Sequence, residues 1–384
     1  MNSIKEKIKN EVLSDTMAGE LTDDQLILQR IDEHIMAIPQ YISVSDKIRL
    51  RNDVYNSLRR YDVLSDLLED DSISDIMING AGNIFIERNG RLEKYHCGFD
   101  SRKKLEDVVQ TIVAGHNRIV NESAPIADVR LADGSRVNIV MPPIAIEGPV
   151  VTIRKFPKMD FTMEKYIKMG VVTEEVAEFL RGLVAGKYSM IVSGGTGSGK
   201  TTFLNVLSGC IPADERVITI EDSAELRLQS ISNLVRLETR NANIEGENEV
   251  DIRMLIKASL RMRPDRIIVG EVRGKEAIDM LQAMNTGHRG SLSTCHANSA
   301  KDMITRLETL VLLENAFSMQ AIRRMIGAAI DIIVQLGRMP DRSRKVLEIS
   351  QVYCEDDEII INPLYELGSA GIMEKTGEWV GERI

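Results

Sequence analysis

The spacing of apolar residues is helical over the first sixty residues of the chain. Within residues 22–38 the apolar positions repeat every three or four residues, so they fall on one face of a helix. These positions are Leu26, Ile27, Ile31, Ile35 and Ile38. Thr22 is a predicted N-cap for this helix, and a second helix is predicted over 45–61. Residues 1–61 are therefore predicted to be a helical N-terminal segment, either a small appendage or a bundle that docks a partner.

From residue 62 the apolar period changes towards that of strands. Alternating apolar positions flank Asn89-Gly90, a pair suited to a type I′ hairpin turn, and a similar pattern flanks Asp133-Gly134. A helix is predicted between the two hairpins, and a further strand near 149–156. Residues 62–156 are therefore predicted to form a small α+β domain, followed by a linker at 157–165.

After residue 165, short apolar strands alternate with helical segments. This rhythm predicts an α/β domain over 166–384 with a mainly parallel, doubly wound sheet. The predicted strands are SMIVSG, RVITIED, DRIIVGE, GSLSTCHA, AIDIIVQL and VLEISQVY.

Composition narrows the class of protein. The 48 basic and 58 acidic residues give a net charge of −10, which argues against a general nucleic-acid binder. The four cysteines form no C-x-x-C pair, so neither a zinc site nor a disulfide framework is predicted. No apolar run approaches the ~18 residues of a membrane span, and the start of the chain has no apolar signal-peptide core. We expect a cytoplasmic protein that reaches a membrane only through partners.

The segment GGTGSGKT at 194–201 fits the phosphate-binding pattern G-x-x-x-x-G-K-[ST] between a predicted strand and a predicted helix. Lys200 is expected to contact the β- and γ-phosphates of ATP, and the Thr201 hydroxyl to reach Mg²⁺. The predicted nucleotide-binding residues here are Gly194, Gly195, Thr196, Gly197, Ser198, Gly199, Lys200, Thr201 and Thr202. Kinases, helicases and transport ATPases share this motif, so it does not name the reaction.

Two groups of acids follow predicted strands. Glu221, Asp222 and Glu225 follow one strand, and Glu271 follows another. Because the carboxyl ends of parallel strands meet at one edge, both groups are expected to face the crevice of the phosphate loop. Glu271 is the candidate for orienting the attacking water or accepting its proton. Thr201 and the phosphates would hold Mg²⁺ directly, with Glu221 and Glu271 acting partly through water. The alternative is that these acids are solvated or cap the backbone.

The segment LRMRPDRIIVGEVRG at 260–274 resembles the signature of the type II/IV secretion-system ATPases, hexameric motors that drive secretion and pilus assembly. RVITIEDSAEL resembles the acidic box of that family, and TGHRGSLSTCHANSA its His box. RLADGSRVNIVMPP and VVTIRKF look most like the CpaF-like branch, which powers tight-adherence pili. Many members have Asp where this chain has Gly274, and other branches often carry a four-cysteine zinc module that this sequence does not have.

The resemblance implies a RecA-like motor domain that binds ATP and Mg²⁺. It makes Glu271 the catalytic carboxylate, Glu221 a second acid and His296 a contact to the γ-phosphate. It also implies arginines from the N-terminal domain, for which Arg136 and Arg154 are the best candidates and Arg130 and Arg240 weaker ones. His288 is a further candidate for the nucleotide site, although a loop-stabilising role would explain it equally well.

The sequence thus predicts a cytoplasmic ATPase, a homo-oligomer and by resemblance a hexamer. It would couple ATP hydrolysis to inter-domain motion and drive tight-adherence pilus assembly or protein secretion. Inner-membrane platform proteins are the expected partners, and no direct contact with nucleic acid is expected. Two alternatives stay open: a nucleic-acid translocase or helicase of similar core, and a nucleotide-gated scaffold with little hydrolysis.

Overall fold

A computed structural model describes residues 2–17, 23–39, 41–115, 119–156, 161–240, 247–313, 317–341 and 343–381. The chain divides into two compact units, Met1–Lys158 and Met159–Ile384. The finer boundaries predicted from the sequence stay predictions. None of the described helices has the length and apolar character needed to cross a membrane.

The first unit begins with helices that have an apolar cluster of their own. They are α1 (Asn2–Met17), α2 (Asp24–Met36) and α3 (Val44–Arg59). The helical period brings Ile27, Ile31 and Ile35 of α2 together in this cluster, as predicted. Asp23 caps α2 by accepting from Gln25 N, and the predicted cap Thr22 lies outside the described residues.

The rest of the first unit is a six-stranded antiparallel sheet in the order β3-β2-β1-β6-β5-β4, with α4 and α5. Asn89-Gly90 joins β2 to β3 with φ of 49° and 75°, as a type I′ turn requires. The elements are α4 (Val63–Glu69), β1 (Ile73–Asn79), β2 (Ile84–Arg88), β3 (Arg91–Lys94), α5 (Arg102–Ala114), β4 (Ile126–Arg130), β5 (Arg136–Val140) and β6 (Val150–Arg154).

The second unit has a nine-stranded sheet in the order β15-β14-β13-β12-β7-β11-β10-β8-β9. The six strands from β12 to β9 are parallel, and β13 to β15 extend the sheet antiparallel. The strands are β7 (Met190–Gly194), β8 (Arg216–Glu221), β9 (Asn233–Glu238), β10 (Arg266–Val272), β11 (Leu292–Cys295), β12 (Ile332–Arg338), β13 (Arg344–Glu355), β14 (Glu358–Leu367) and β15 (Met373–Lys375).

The side chains of the central strands belong to two apolar clusters, one on each face of the sheet. Because both faces are buried, the sequences of these strands are continuous apolar runs. The helices are α6 (Met163–Lys168), α7 (Glu174–Ala185), α8 (Lys200–Ser208), α9 (Ile252–Ser259), α10 (Glu276–Asn285), α11 (Ala300–Leu312) and α12 (Met319–Ala329). The predicted α/β fold with a mainly parallel sheet is confirmed.

Candidate active site

The carboxyl ends of four parallel strands bring the predicted site residues to one edge of the sheet. Strand β7 ends at Gly194 and leads through the phosphate loop into α8, which begins at Lys200. Glu221 is the last residue of β8, Glu271 lies near the end of β10, and His296 directly follows β11. The expected crevice is therefore present within the second unit.

The phosphate loop needs glycine for two different reasons. A Cβ at Gly194 would lie 2.6 Å from Ser198 Oγ and 2.7 Å from the Leu336 carbonyl oxygen, so the backbone approach there excludes a side chain. Gly199 has φ of 92°, in the left-handed region, and is the N-cap of α8 without a side-chain capping bond. The first backbone N–H groups of α8 are thus left to bind an anion.

Lys200 is held inside the site rather than in solvent. Its side chain is 7% exposed, and its Nζ donates to the Gly195 carbonyl at 3.0 Å and to His296 Nδ1 at 3.1 Å. Burial lowers the pKa of Lys200, and the nearby Glu271 carboxylate partly opposes this effect. An incoming phosphate would replace these two contacts with a charged partner.

The neighbours of His296 fix where its ring carries a proton. An ammonium group only donates hydrogen bonds, so Nδ1 must accept from Lys200 and the proton of the neutral ring sits on Nε2. That nitrogen lies 2.8 Å from Glu271 Oε1. Burial lowers the pKa of His296, and the Lys200 charge lowers it further. Lys200, His296 and Glu271 therefore form one chain of contacts with a neutral imidazole in the middle.

Glu271 has a second partner, Arg273, which the sequence analysis did not assign to the site. Arg273 Nη2 lies 2.5 Å from Glu271 Oε2, and its Nη1 lies 3.7 Å from Asp222 Oδ2. This hydrogen bond to Glu271 raises the pKa of Arg273. Arg273 is 57% exposed, so it presents positive charge beside the candidate catalytic carboxylate. Its position in the family signature was the signal that could have identified it.

Glu221 is 3% exposed, and its two carboxylate oxygens differ in their hydrogen bonding. Its Oε1 accepts from the backbone N–H groups of Glu225 and Leu226, so this oxygen caps the following loop. Its Oε2 is buried and has no hydrogen-bond partner among the described residues. Burial raises the pKa of Glu221 to about 7. The capping alternative thus accounts for one of the two oxygens.

The donor set at this edge fits Mg²⁺, which prefers oxygen ligands and keeps several waters. Glu271 Oε1 is a second buried oxygen without an aligned hydrogen bond among the described residues, although His296 Nε2 lies 2.8 Å from it. With the Thr201 hydroxyl, these orphaned carboxylate oxygens could accept from metal-bound water.

A cavity of about 340 Å³ opens beside the first half of the phosphate loop and His296. Its wall includes Asn298, Asp302 and Arg306, none of which the sequence analysis assigned to the site. Asp302 and Arg306 lie on α11, which begins just after His296, so their proximity follows from the strand–loop–helix connection.

The three candidate arginines of the first unit, Arg130, Arg136 and Arg154, form one row across its sheet. Arg136 is the register partner of both Arg130 and Arg154, so the three side chains share a face. Their predicted role at a phosphate in the second unit stays a prediction. Arg240 lies in the second unit, where its Nε donates to the Asn248 carbonyl.

His288 is not brought to the phosphate loop within this chain, and its role as a nucleotide contact stays a prediction. It precedes β11 while His296 follows it, so the strand separates the two histidines onto opposite edges of the sheet. The His288 ring contacts the Ala283 carbonyl at 3.3 Å, and its own carbonyl accepts from Ser291 Oγ. These contacts favour the loop-stabilising alternative.

Comparisons with known proteins agree with this geometry. Residues 59–363 match the family described as Type II/IV secretion system protein. The conjugal transfer protein TrbB of Rhizobium radiobacter is 34% identical over 76% of this chain and 87% of its own length. The type IV secretion system protein PtlH of Bordetella pertussis is 32% identical over 72% of this chain and 89% of its own length.

A solved structure shares the fold. The Legionella pneumophila ATPase DotB superposes with a TM-score of 0.53 at 22% identity, over 77% of this chain and 80% of that one. The chain therefore belongs to the type II/IV secretion system protein family, and the expected enzyme class, an ATP hydrolase, is confirmed.

Proposed function

We propose that the chain is a hexameric cytoplasmic motor that uses ATP hydrolysis to drive a secretion system or pilus, with tight-adherence pilus assembly as its specific role. The names of two relatives, a conjugal transfer protein and a type IV secretion protein, support the transport role. The sequence segments at 131–143 and 150–156 support the tight-adherence branch. Inner-membrane platform proteins are the proposed partners, so the motor would work at the cytoplasmic face of the membrane.

The contact chain Lys200–His296–Glu271 is the observation that carries the proposal. It joins the cation of the phosphate loop to the half-buried Glu271 carboxylate through a neutral imidazole. In this arrangement Lys200 would bind the β- and γ-phosphates, and Glu271 would orient water towards the γ-phosphorus. His296 lies between them, where its Nε2 is close to Glu271 and could donate a hydrogen bond to a γ-phosphate oxygen.

Mg²⁺, when bound, would neutralise charge on the phosphates. We propose that Thr201 would hold it directly and that Glu221 and Glu271 would hold its waters. Arg273 would hold the Glu271 carboxylate in its orientation through the hydrogen bond from Nη2 to Oε2.

The arginine row of the first unit supports the proposed inter-domain coupling. Arg136 and Arg154 would bring their guanidinium groups close to the γ-phosphate when the units approach each other. Arg240 is a weaker candidate for the same role. Charge builds on the transferred phosphoryl group in the transition state, so such cations would link hydrolysis to motion.

The test is phosphate release per protomer across a range of protein concentrations, with nucleotide binding measured on the same samples. We expect activity per protomer to rise with concentration, as shared sites in an assembling ring require. Glu271→Gln is expected to bind ATP normally and to lose about 100-fold or more in turnover. Glu366→Gln, an exposed acid on β14, is the matched control and should keep wild-type activity.

Two results would contradict the proposal. A wild-type protein that binds ATP but releases no phosphate, alone or with membranes that carry its partners, would favour the nucleotide-gated scaffold. Turnover that rises strongly with single- or double-stranded DNA would favour the nucleic-acid translocase.

A further inference from the structure

A cation from the C-terminal part of the second unit lies directly on the phosphate loop. Arg344, the first residue of β13, donates from Nε to the Gly197 carbonyl at 3.1 Å. Its Cδ lies 3.1 Å from the position that a Cβ at residue 199 would occupy. Arg344 thus covers the second half of the loop, which leads into α8.

This contact orients one peptide group of the loop. The carbonyl and the following N–H of a trans peptide point in opposite directions. With the Gly197 carbonyl turned to Arg344, the Ser198 N–H points the other way, and it donates to the Gly195 carbonyl at 3.3 Å. Arg344 therefore supports the turn that shapes the phosphate-binding backbone.

No carboxylate among the described residues forms an ion pair with Arg344. Its register partner across the β12–β13 ladder is Arg338, and like charges directly opposite each other are unfavourable. The nearby acid Asp341 accepts instead from the backbone and hydroxyl of Ser343. Both arginines are exposed, and the described residues offer neither an ion pair.

A guanidinium has five N–H donors, and one of those of Arg344 donates to the Gly197 carbonyl. The remaining donors suit the oxygens of a phosphate, which arginine binds in a forked geometry. Arg344, a cation without an ion pair beside a backbone turn for phosphate, therefore suits a polyanion that completes the site.

We infer that Arg344, with Arg338 opposite it, binds the α- and β-phosphates of the nucleotide from the C-terminal hairpin. The inference rests on the proposed function, because it assumes that ATP occupies this loop. The glycine-rich part of such a loop cradles the α- and β-phosphates, whereas the lysine reaches the β- and γ-phosphates. Contact near Gly197 and Gly199 therefore assigns Arg344 to the phosphates that ATP and ADP share.

The experiment is equilibrium binding of ATP and of ADP to the full chain, measured by calorimetry at two salt concentrations. Arg344→Ala should raise the Kd of both nucleotides roughly tenfold or more and by a similar factor, since a hydrogen bond between charged groups is lost. Arg344→Gln keeps a neutral donor that can support Gly197 and should lose affinity nearly as much. Both variants should show a weaker dependence of Kd on salt than the wild type, which a purely structural role would not produce.

Arg338→Ala should raise the Kd less than Arg344→Ala does, because only Arg344 touches the loop. Arg324→Ala, an exposed arginine on α12 paired with Asp357, is the matched control and should leave both affinities unchanged. Wild-type affinity in Arg344→Gln with unchanged salt dependence would overturn the inference, as would a loss for ATP alone. Failure of the wild type to bind either nucleotide would instead overturn the proposed function.

Discussion

Glu221 occupies the space beside residue 270 that a side chain there would need. A Cβ added to Gly270 would lie 3.0 Å from Glu221 Cγ, closer than ordinary van der Waals contact. Many phosphate-loop nucleotidases have an aspartate at the end of this strand, which helps to hold Mg²⁺. Here the carboxylate at that place comes from the neighbouring strand β8, and Gly270 leaves room for it.

We predict that Gly270→Ala will destabilise the second unit by about 1–3 kcal/mol, the usual cost of overpacking a close-packed site. It should also lower ATP turnover, because Glu221 must move. Chemical denaturation and phosphate release measure the two effects. Gly182→Ala on α7 is the control, since a Cβ there meets nothing within 4 Å and alanine favours a helix. Equal stability of the two variants would show that Glu221 adjusts without cost.

The raised pKa of Glu221 predicts a pH-dependent stability. In the folded chain this pKa is about 7, against an ordinary value of 4.5, so the folded chain keeps a proton that the unfolded chain releases. The stability from this group is complete below pH 4.5 and is lost as the pH rises through 7. Over that window the free energy of unfolding should fall by up to about 1.4 kcal/mol per pH unit through this group.

Glu221→Gln cannot release a proton, so urea unfolding at pH 5 and pH 7.5 should differ less in this variant than in the wild type. Glu238→Gln is the matched control, because Glu238 is the register partner of Glu221 on β9 and is exposed. If the control flattened the pH dependence as much as Glu221→Gln did, the proton would belong elsewhere.

The sequence predicted the strands that carry the site because each is a short apolar run buried in a parallel sheet. It did not predict β9, β14 or β15. β9 has only exposed and half-buried residues, and β14 and β15 belong to the antiparallel extension of the sheet. The local sequence pattern does not identify these three strands, because their stability comes from pairing with the neighbouring strands of the sheet.

Long-range contacts account for the remaining differences between prediction and structure. Arg344 lies 147 residues from Gly197 in the chain, and the pairings of β13 with β12 and of β12 with β7 bring them together. His288 lies away from the phosphate loop for the opposite reason. It lies in the same motif as His296, yet the four residues of β11 carry the chain from one edge of the sheet to the other.

The two histidines therefore make a matched pair for mutation. We predict that His296→Ala will lower kcat for ATP hydrolysis by about 100-fold, because it removes the ring between Lys200 and Glu271. His288→Ala should stay within about twofold of wild-type kcat, since its ring contacts only a backbone carbonyl among the described residues. Steady-state phosphate release measures both. A comparable loss of kcat in the two variants would support His288 as a nucleotide contact.

A buried ion pair lies at the edge of the second unit's sheet opposite to the phosphate loop. Arg266 is fully buried and donates to both carboxylate oxygens of Glu215, at 2.7 and 2.8 Å, and to the Val184 carbonyl at 2.7 Å. This hydrogen bonding lowers the pKa of Glu215. Removal of one partner leaves the other charge buried without compensation, which typically costs about 3–5 kcal/mol.

Glu215→Leu should therefore lower the free energy of unfolding by about 3 kcal/mol or more, with a clear shift of the denaturation midpoint. Arg324→Ala breaks an exposed ion pair and should shift the midpoint little, because solvent screens such pairs. The double variant Glu215→Leu with Arg266→Met should recover much of the lost stability, since no unpaired charge then stays buried. A double variant as unstable as Glu215→Leu alone would mean that the cost comes from lost packing and not from the orphaned arginine.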